Sequence, residues 1–366
     1  MSGRPTEPLR IELCRDEAEF TALGADWNRL YRRCRSVTAF QSHAWLHSWW
    51  MSYGRPGRLR VVLVRDADGE LVAAAPLMLV RAPLPALVPL GGAISDFTDV
   101  LLDDERAEPA ARALAHGLAG AARTALVDLR EVRPGGAAER VYACWPGPRR
   151  ALPDSLCLEL PALPMDDLVA RLPTPRAQRA RAKMRKIDAV GVRRRVVGAD
   201  EAEGAVRTLL DLHRLQWQGR KVTTEHLRPR FCEHLIRSVG PMVRSGAAVV
   251  TEFRLDDTVV AADLTLLAPG LTGGYLYGAH PDLRDRKVDV ATMLLHASTE
   301  HLSDSGVLSL LRGNEPYKHH WRPSQVTNQR FLLSRKRTAP LLAAAMCNAK
   351  AKSQAKQLLR LHRDNP

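Results

Sequence analysis

The sequence predicts an α/β (α+β) chain built as two units in tandem, each a sheet flanked by helices. Three observations predict it. The order helix, strand, strand, helix, strand occurs twice along the chain, although the residues of the two runs are not similar. A length of 366 residues is enough for two domains of ordinary size. A strongly basic stretch separates the two runs, and a second one follows the last. The expected boundaries are residues 1–165 for the first unit, 166–198 for the basic connection, 199–333 for the second unit and 334–366 for a basic tail.

In the first unit, the spacing of apolar residues predicts helices over 17–33 and 44–53, then strands over 59–64 and 71–79 joined by an Asp68-Gly69 hairpin turn. A proline-broken connection over 82–89 leads to the glycine-led turn Gly91-Gly92-Ala93-Ile94-Ser95-Asp96-Phe97-Thr98-Asp99, followed by a helix over 107–123 and a strand over 125–129. In the second unit, a helix over 202–218 precedes strands over 247–254, 259–267 and 274–279, with Asp256-Asp257 turning between the first two. A helix over 288–304 and a strand over 307–311 complete it. Trp45, Trp49 and Trp50 fall at helical spacing and read as core, as does Trp217.

Past the run Val307-Leu308-Ser309-Leu310-Leu311, the chain breaks at Arg312-Gly313 and at Pro316, and then presents Tyr317, Lys318 and Trp321. A lysine held beside aromatics just after a strand end has two readings. Either its ammonium steadies charge developing on a carbonyl oxygen, or it is a surface lysine beside an apolar turn.

Those residues resemble a family signature. Gly313-Asn314-Glu315-Pro316-Tyr317-Lys318-His319-His320-Trp321 is similar to the G-x-E-x-Y-K-x-x-W segment of tandem GNAT-like acyltransferases, the cellulose-biosynthesis-type acetyltransferase family. It also resembles the Phe-Lys pair of Fem-type aminoacyltransferases, which extend peptidoglycan bridges from aminoacyl-tRNA. Three more segments fit the first family: Phe40-Gln41-Ser42-His43-Ala44-Trp45-Leu46 with Trp49-Trp50, the Gly91–Asp99 turn, and Leu212-His213-Arg214-Leu215-Gln216-Trp217-Gln218-Gly219. The resemblance implies two tandem GNAT-like domains, each a mixed, mainly antiparallel sheet flanked by helices, and an acyl-transfer activity. Fem-type enzymes commonly carry a long helical coiled coil in the second domain, for which residues 202–332 leave no room.

Composition bounds the remaining choices. No apolar stretch reaches the roughly 18 residues of a membrane span, so no membrane insertion is expected. The start of the chain lacks an apolar signal core, and the six cysteines include no C-x-x-C pair. Both features predict a reducing cytoplasm, without a disulfide framework or a structural zinc. No metal is indicated by the twelve histidines, which form no H-x-x-x-H pair beside a glutamate.

The formal charge of +14 is concentrated. Ten Lys/Arg stand against Asp188 between Arg171 and Arg195, and eight stand against Asp364 from Ser334 onward. Clustered cations point to a polyanion, RNA before an anionic membrane, or else to a solvated helix that keeps the chain soluble.

An acyl-CoA enzyme of this fold cradles the CoA pyrophosphate on bare amides at a helix N-terminus. The matching register is Arg286-Lys287-Val288-Asp289-Val290-Ala291, where Asp289 occupies the position that requires glycine. The Fem-type resemblance implies the other activated donor, aminoacyl-tRNA, which is preferred, with acyl-CoA as the alternative, and no tightly bound cofactor is expected. Arg179, Arg181, Lys183, Arg185 and Lys186, with Arg284, Arg286 and Lys287, are the candidate RNA contacts.

The expected reaction is aminolysis of an ester by the amine of a small-molecule acceptor. Lys318 would polarise the carbonyl with Tyr317 beside it, and Trp321 would wall the pocket. Asp96 and Asp99 either bind the amine, one of them taking its proton, or cap a turn as short acids do. Asp263, in the middle of an apolar strand, either faces a cleft or faces solvent. Glu315 is either a base or a partner for Arg312 or Lys318. His213, His280, His319 and His320 read as structural rather than as bases. An acyl-CoA N-acyltransferase of the same fold is the second hypothesis, and a non-catalytic RNA-binding GNAT scaffold the third. The acceptor, the group moved and the oligomeric state are not legible.

Overall fold

The structure, a computed structural model, describes residues 8–218, 223–302 and 306–363, with side chains in the last helix described as far as residue 351. Strand β1 (Arg10–Cys14) leads into α1 (Glu17–Ala22) and α2 (Gly24–Arg32), then α3 (His43–Tyr53). The single helix expected over 17–33 is thus broken at Leu23, whose N–H bonds back to the Phe20 carbonyl before the chain restarts at Gly24. The hairpin β2 (Leu59–Arg65) and β3 (Leu71–Val80) follows, with Gly69 at φ +81° in its turn. The stretch 82–89, expected as a connection, contains strand β4 (Ala86–Pro89).

Short strand β5 (Leu101–Leu102), α4 (Ala107–Ala121), β6 (Leu126–Val132), α5 (Ala138–Ala143) and β7 (Arg149–Pro161) complete the first half. The basic connection holds α6 (Met165–Ala170), α7 (Thr174–Val190) and β8 (Arg193–Val196). Helices α8 (Ala202–Gln216) and α9 (Pro229–Arg244) precede β9 (Ala248–Leu255), β10 (Thr258–Ala268) and β11 (Leu271–Ala279). The helix expected over 288–304 is α11 (Val290–Ser298), and a short helix not expected, α10 (Pro281–Asp285), precedes it. The expected end at Asp304 lies outside the described residues, as does Gly219 of the motif that opens the second unit. Strands β12 (Val307–Arg312) and β13 (Ser324–Leu333) and helix α12 (Ala339–Arg363) complete the described residues.

All the strands form one mixed, mainly antiparallel sheet in the order β1-β2-β3-β4-β6-β13-β7-β12-β11-β10-β9-β8, with β5 beside β3. Among the described residues, only β4 with β6 and β11 with β12 run parallel. The order is the same from both edges: β1-β2-β3-β4-β6 on one side answers β8-β9-β10-β11-β12 on the other. The next strand of each run is exchanged. Strand β7, which follows β6 in the chain, lies beside β12, and β13, which follows β12, lies beside β6. The two exchanged strands pair with each other from Ser324↔Glu159 to Leu333↔Arg149, joining the halves through main-chain hydrogen bonds.

Helices reinforce that junction. Trp45 and Trp49 of α3 share a core with Phe231 and Leu235 of α9 and Leu209 of α8. Ser48 donates to the His234 carbonyl at 2.9 Å. The three tryptophans of α3 are buried, as their spacing predicts. Helix α7 buries Ala177 and Ala180 against Trp321, Leu295 and Leu308, and turns its arginines outward.

Candidate active site

Strands β11 and β12 pair only over Leu271–Gly273 against Val307–Ser309. Beyond that point β12 swings toward β7, with Leu311 at φ +58°, Gly313 at φ +117° and the Gly313 N–H on the Leu156 carbonyl at 3.1 Å. The strands splay and a pocket of about 430 Å³ opens between them. The free edge of β11 is held open from α8. His213 Nδ1 bonds to the Tyr277 carbonyl at 2.7 Å, and the Gln216 side-chain oxygen accepts the Ala279 N–H at 3.0 Å. Gly278 permits this docking, since a Cβ there would stand 2.3 Å from the His213 nitrogen and 2.5 Å from the Leu209 carbonyl.

Seven expected site residues converge on this pocket: Asp96, Asp263, Arg312, Glu315, Tyr317, Lys318 and Trp321. Lys318 lies on the 3-10 turn Pro316–Trp321 and is buried. Its Nζ donates to the Arg312 carbonyl at 2.9 Å and pairs with Glu315 at 2.8 Å. An ammonium has three donors, so one N–H is left for a ligand. Glu315 thus has Lys318 as its partner. Tyr317 stands exposed at the mouth, and Trp321 is buried in the wall.

Asp263 is only 3% exposed, and it faces the pocket rather than solvent. Thr265 donates to its Oδ2 at 2.6 Å, yet burial dominates and pushes the carboxyl up to about 7. Asp96 is committed differently. Arg312 Nε reaches it at 2.7 Å while the same guanidinium holds Glu131 at 3.2 Å and the Ala93 carbonyl at 2.7 Å. Burial raises the Asp96 carboxyl, and Arg312 opposes that rise. Arg312 therefore braces the glycine-led turn against β6 rather than presenting a free cation to substrate.

Asp99 is the exception, because it does not line the pocket. Its carboxylate accepts the N–H groups of Ala137 at 2.7 Å and Ala138 at 2.8 Å, at the start of α5, and of Val100 at 2.8 Å. A short acid at a helix start is a capping residue, and the expectation of a substrate contact is corrected accordingly.

Asp289 also caps a helix. It accepts the Thr292 N–H at 2.9 Å and pairs with Lys183 of α7 at 2.8 Å. Burial works to raise its carboxyl, but Lys183 and Thr292 prevail and the net shift is downward. The N-terminus of α11 thus already holds an anion. Lys183 is spent on that pair, which removes it from the free cations. Arg179, Arg181, Arg185 and Lys186 are exposed, as are Arg284, Arg286 and Lys287 beside α11. Asp289→Ala is expected to cost about 1 kcal/mol of stability through the lost cap, read from urea unfolding.

Three further residues line the pocket: His213, expected as structural, Trp217, expected in the core, and His226, which the sequence did not single out. Burial lowers His213, and burial with the neighbouring His213 brings His226 to about 4, so both rings are neutral. Trp217, expected in the core, lines the pocket instead. The available signal was the i, i+4 spacing of His213 and Trp217, which puts both on one helix face.

The split sheet and the exchanged strands form a GNAT-like α/β fold. A family profile described as an acetyltransferase (GNAT) domain matches residues 175–319. FemX superimposes with a TM-score of 0.59 at 10% identity, over 87% of this chain and 98% of that one. L-PGS from Bacillus licheniformis does so with a TM-score of 0.54 at 11% identity, over 90% and 95%. A conserved protein of unknown function from Bacteroides thetaiotaomicron VPI-5482 gives 0.58 at 12%, over 89% and 100%. Likeness at such identities is likeness of fold. No curated protein matches the sequence. The profile supports a transferase of acyl groups, and it does not single out the cellulose-biosynthesis-type family. No helix among the described residues is long and apolar enough to cross a membrane.

Proposed function

We propose that the protein transfers an aminoacyl group from aminoacyl-tRNA to the amine of a small molecule bound between β11 and β12. The observation that carries this reading is the pair Asp289–Lys183 at the N-terminus of α11. A CoA pyrophosphate would need those amides bare, and would meet a carboxylate at short range. A tRNA ester needs no such cradle. Its phosphates instead suit α7, where Arg176, Arg179, Arg181, Arg185 and Lys186 are exposed and make no ion pair among the described residues. Burial lowers His320, and the charges of Lys183, Arg176 and Arg179 lower it further, so the basic face adjoins the turn that carries Lys318.

In the reaction, the acceptor nitrogen attacks the ester carbonyl carbon. A C–N bond forms, the ester C–O bond breaks, and the ribose hydroxyl leaves with a proton. Asp263 takes the proton from the amine, Lys318 stabilises the tetrahedral oxyanion and Tyr317 borders it at the mouth. Arg312 and Asp96 keep the lysine turn in place. The acyl-CoA reading retains one supporting observation, the acetyltransferase profile over 175–319. A non-catalytic scaffold would have no use for a carboxyl raised by burial inside a cavity.

Mass spectrometry of products after incubation with charged tRNA, or with acetyl-CoA, tests the proposal. Product is expected with charged tRNA only, and RNase should abolish it. Turnover with acetyl-CoA after RNase would overturn the tRNA reading. Replacing Arg179, Arg181 and Arg185 together by Glu should weaken tRNA binding and flatten its salt dependence, by about 0.7–0.9 in log–log slope for each phosphate that is no longer neutralised. Filter binding across a salt series reads that slope, with an unchanged melting temperature as the control for folding.

A further inference from the structure

Donor and acceptor sides of the pocket can be told apart by sheet face. Asp263 and Thr265 lie on the face covered by α11, where Thr265 meets Ser298 at 3.3 Å. Gly278, whose side faces the opposite way in the strand, lies under α8. The basic helix α7 packs on the α11 face through Leu295 and Trp321, which leaves the α8 face for the smaller substrate.

On that α8 face two buried polar atoms, His213 Nε2 and Trp217 Nε1, have no partner among the described residues. His213 is 5% exposed, and both residues line the pocket with ring centroids 6.2 Å apart. An unpaired buried polar atom costs on the order of 1–3 kcal/mol, and such atoms at a cavity wall mark places that a ligand satisfies. The chemistry of the missing ligand group follows from the atoms. Because a carbonyl only accepts, His213 Nδ1 must carry the hydrogen donated to Tyr277, so Nε2 presents a lone pair. Indole Nε1 only donates.

We propose that this pair is the recognition site for a hydroxyl group of the acceptor, which is therefore an amino alcohol or an amino sugar. A hydroxyl donates to Nε2 and accepts from Nε1. A carboxylate has nothing to give His213, and an ammonium has nothing to offer Trp217. His226, neutral and 5.4 Å from His213 between ring centroids, adds no charge that would favour an anion. His213 is here a binding residue, distinct from the proton acceptor Asp263. The word acceptor and the assignment of the two faces rest on the transfer reading, and the pair of unpartnered atoms does not.

The test uses no acyl donor, so it can fail while the transfer reading stands, and the reverse. Protein with ¹⁵N-labelled histidine is titrated with serinol and with its hydrocarbon isostere, in which both hydroxyls are methyls. Serinol should shift the unprotonated Nε2 signal of His213 and bind at least about tenfold more tightly than the isostere. His213→Phe and, separately, Trp217→Phe should each erase that preference, the second variant guarding against a folding defect in the first. Equal binding of the two compounds, binding of neither, or a His213 protonated at both nitrogens at neutral pH would each overturn the proposal.

Discussion

Lys318→Met should lower kcat by about 10²–10³-fold, the usual loss when one donor to a developing oxyanion is removed. The methionine keeps the length and apolar stem of the side chain and removes only the ammonium. Two structural bonds go with it, to the Arg312 carbonyl and to Glu315. Glu315 is half exposed and stays hydrated when its partner leaves, so the main folding cost is the orphaned carbonyl, on the order of 1–3 kcal/mol. Stability and catalysis can therefore be separated by urea unfolding and single-turnover kinetics on the same preparation. Lys318→Arg should not rescue, because a planar fork cannot replace a compact ammonium with three donors in a buried turn. A Lys318→Met enzyme within a few-fold of wild type would remove the lysine from the chemistry.

Much of the fold was legible because the hairpins β2–β3 and β9–β10 and the helices that flank them depend on local patterning. The exchange of β7 and β13 was not. Ser324-Gln325-Val326-Thr327-Asn328-Gln329 holds one aliphatic side chain among polar ones, and forms a strand because β7 offers a partner far away in sequence. Helix α9 has a strong apolar stripe behind Pro229, and its burial against α3 answers a face that only the joined halves create. In the site, Lys318, Tyr317 and Trp321 were legible from one contiguous motif. Asp263 could be singled out as an acid in an apolar strand, but its facing depends on where β12 parts from β11. Asp96 and Asp99 look alike in sequence, three residues apart. Arg312, which arrives from the other half, and the start of α5 divide their roles. His213 and Trp217 belong to a segment that resembles the family, but nothing in it places them at a pocket, since the splay that exposes them is a property of the sheet.

The titration of Asp263 gives the second large effect. Among groups facing the pocket, Asp96 is tied to Arg312, and the two histidines are lowered and stay neutral through the neutral range. Asp263, pushed up to about 7 by burial, should then be the group whose ionisation sets the pH dependence of turnover there. A base works only once its proton is lost, so kcat/KM should rise with pH through about 7 and then level. Asp263→Asn should flatten that limb and lower kcat by about 10²–10⁴-fold. Asp99 also sits at about 7, pushed there by burial against its backbone bonds, but it caps α5 outside the pocket. Asp99→Asn should cost stability and leave the pH limb in place, which distinguishes the two acids. Stability should move the opposite way. The folded value of Asp263 lies above the unfolded value of 3.8, so its contribution is fully present below 3.8 and is lost as pH rises through about 7. Asparagine, neutral throughout, escapes that loss. In urea unfolding the variant should gain on wild type at about pH 8, by at most on the order of 4 kcal/mol, and the gain should vanish near pH 4. A variant that is less active yet more stable, and only above neutrality, is what a carboxylate buried in a split sheet for proton transfer requires. A stability difference independent of pH would instead make Asp263 an ordinary strand residue.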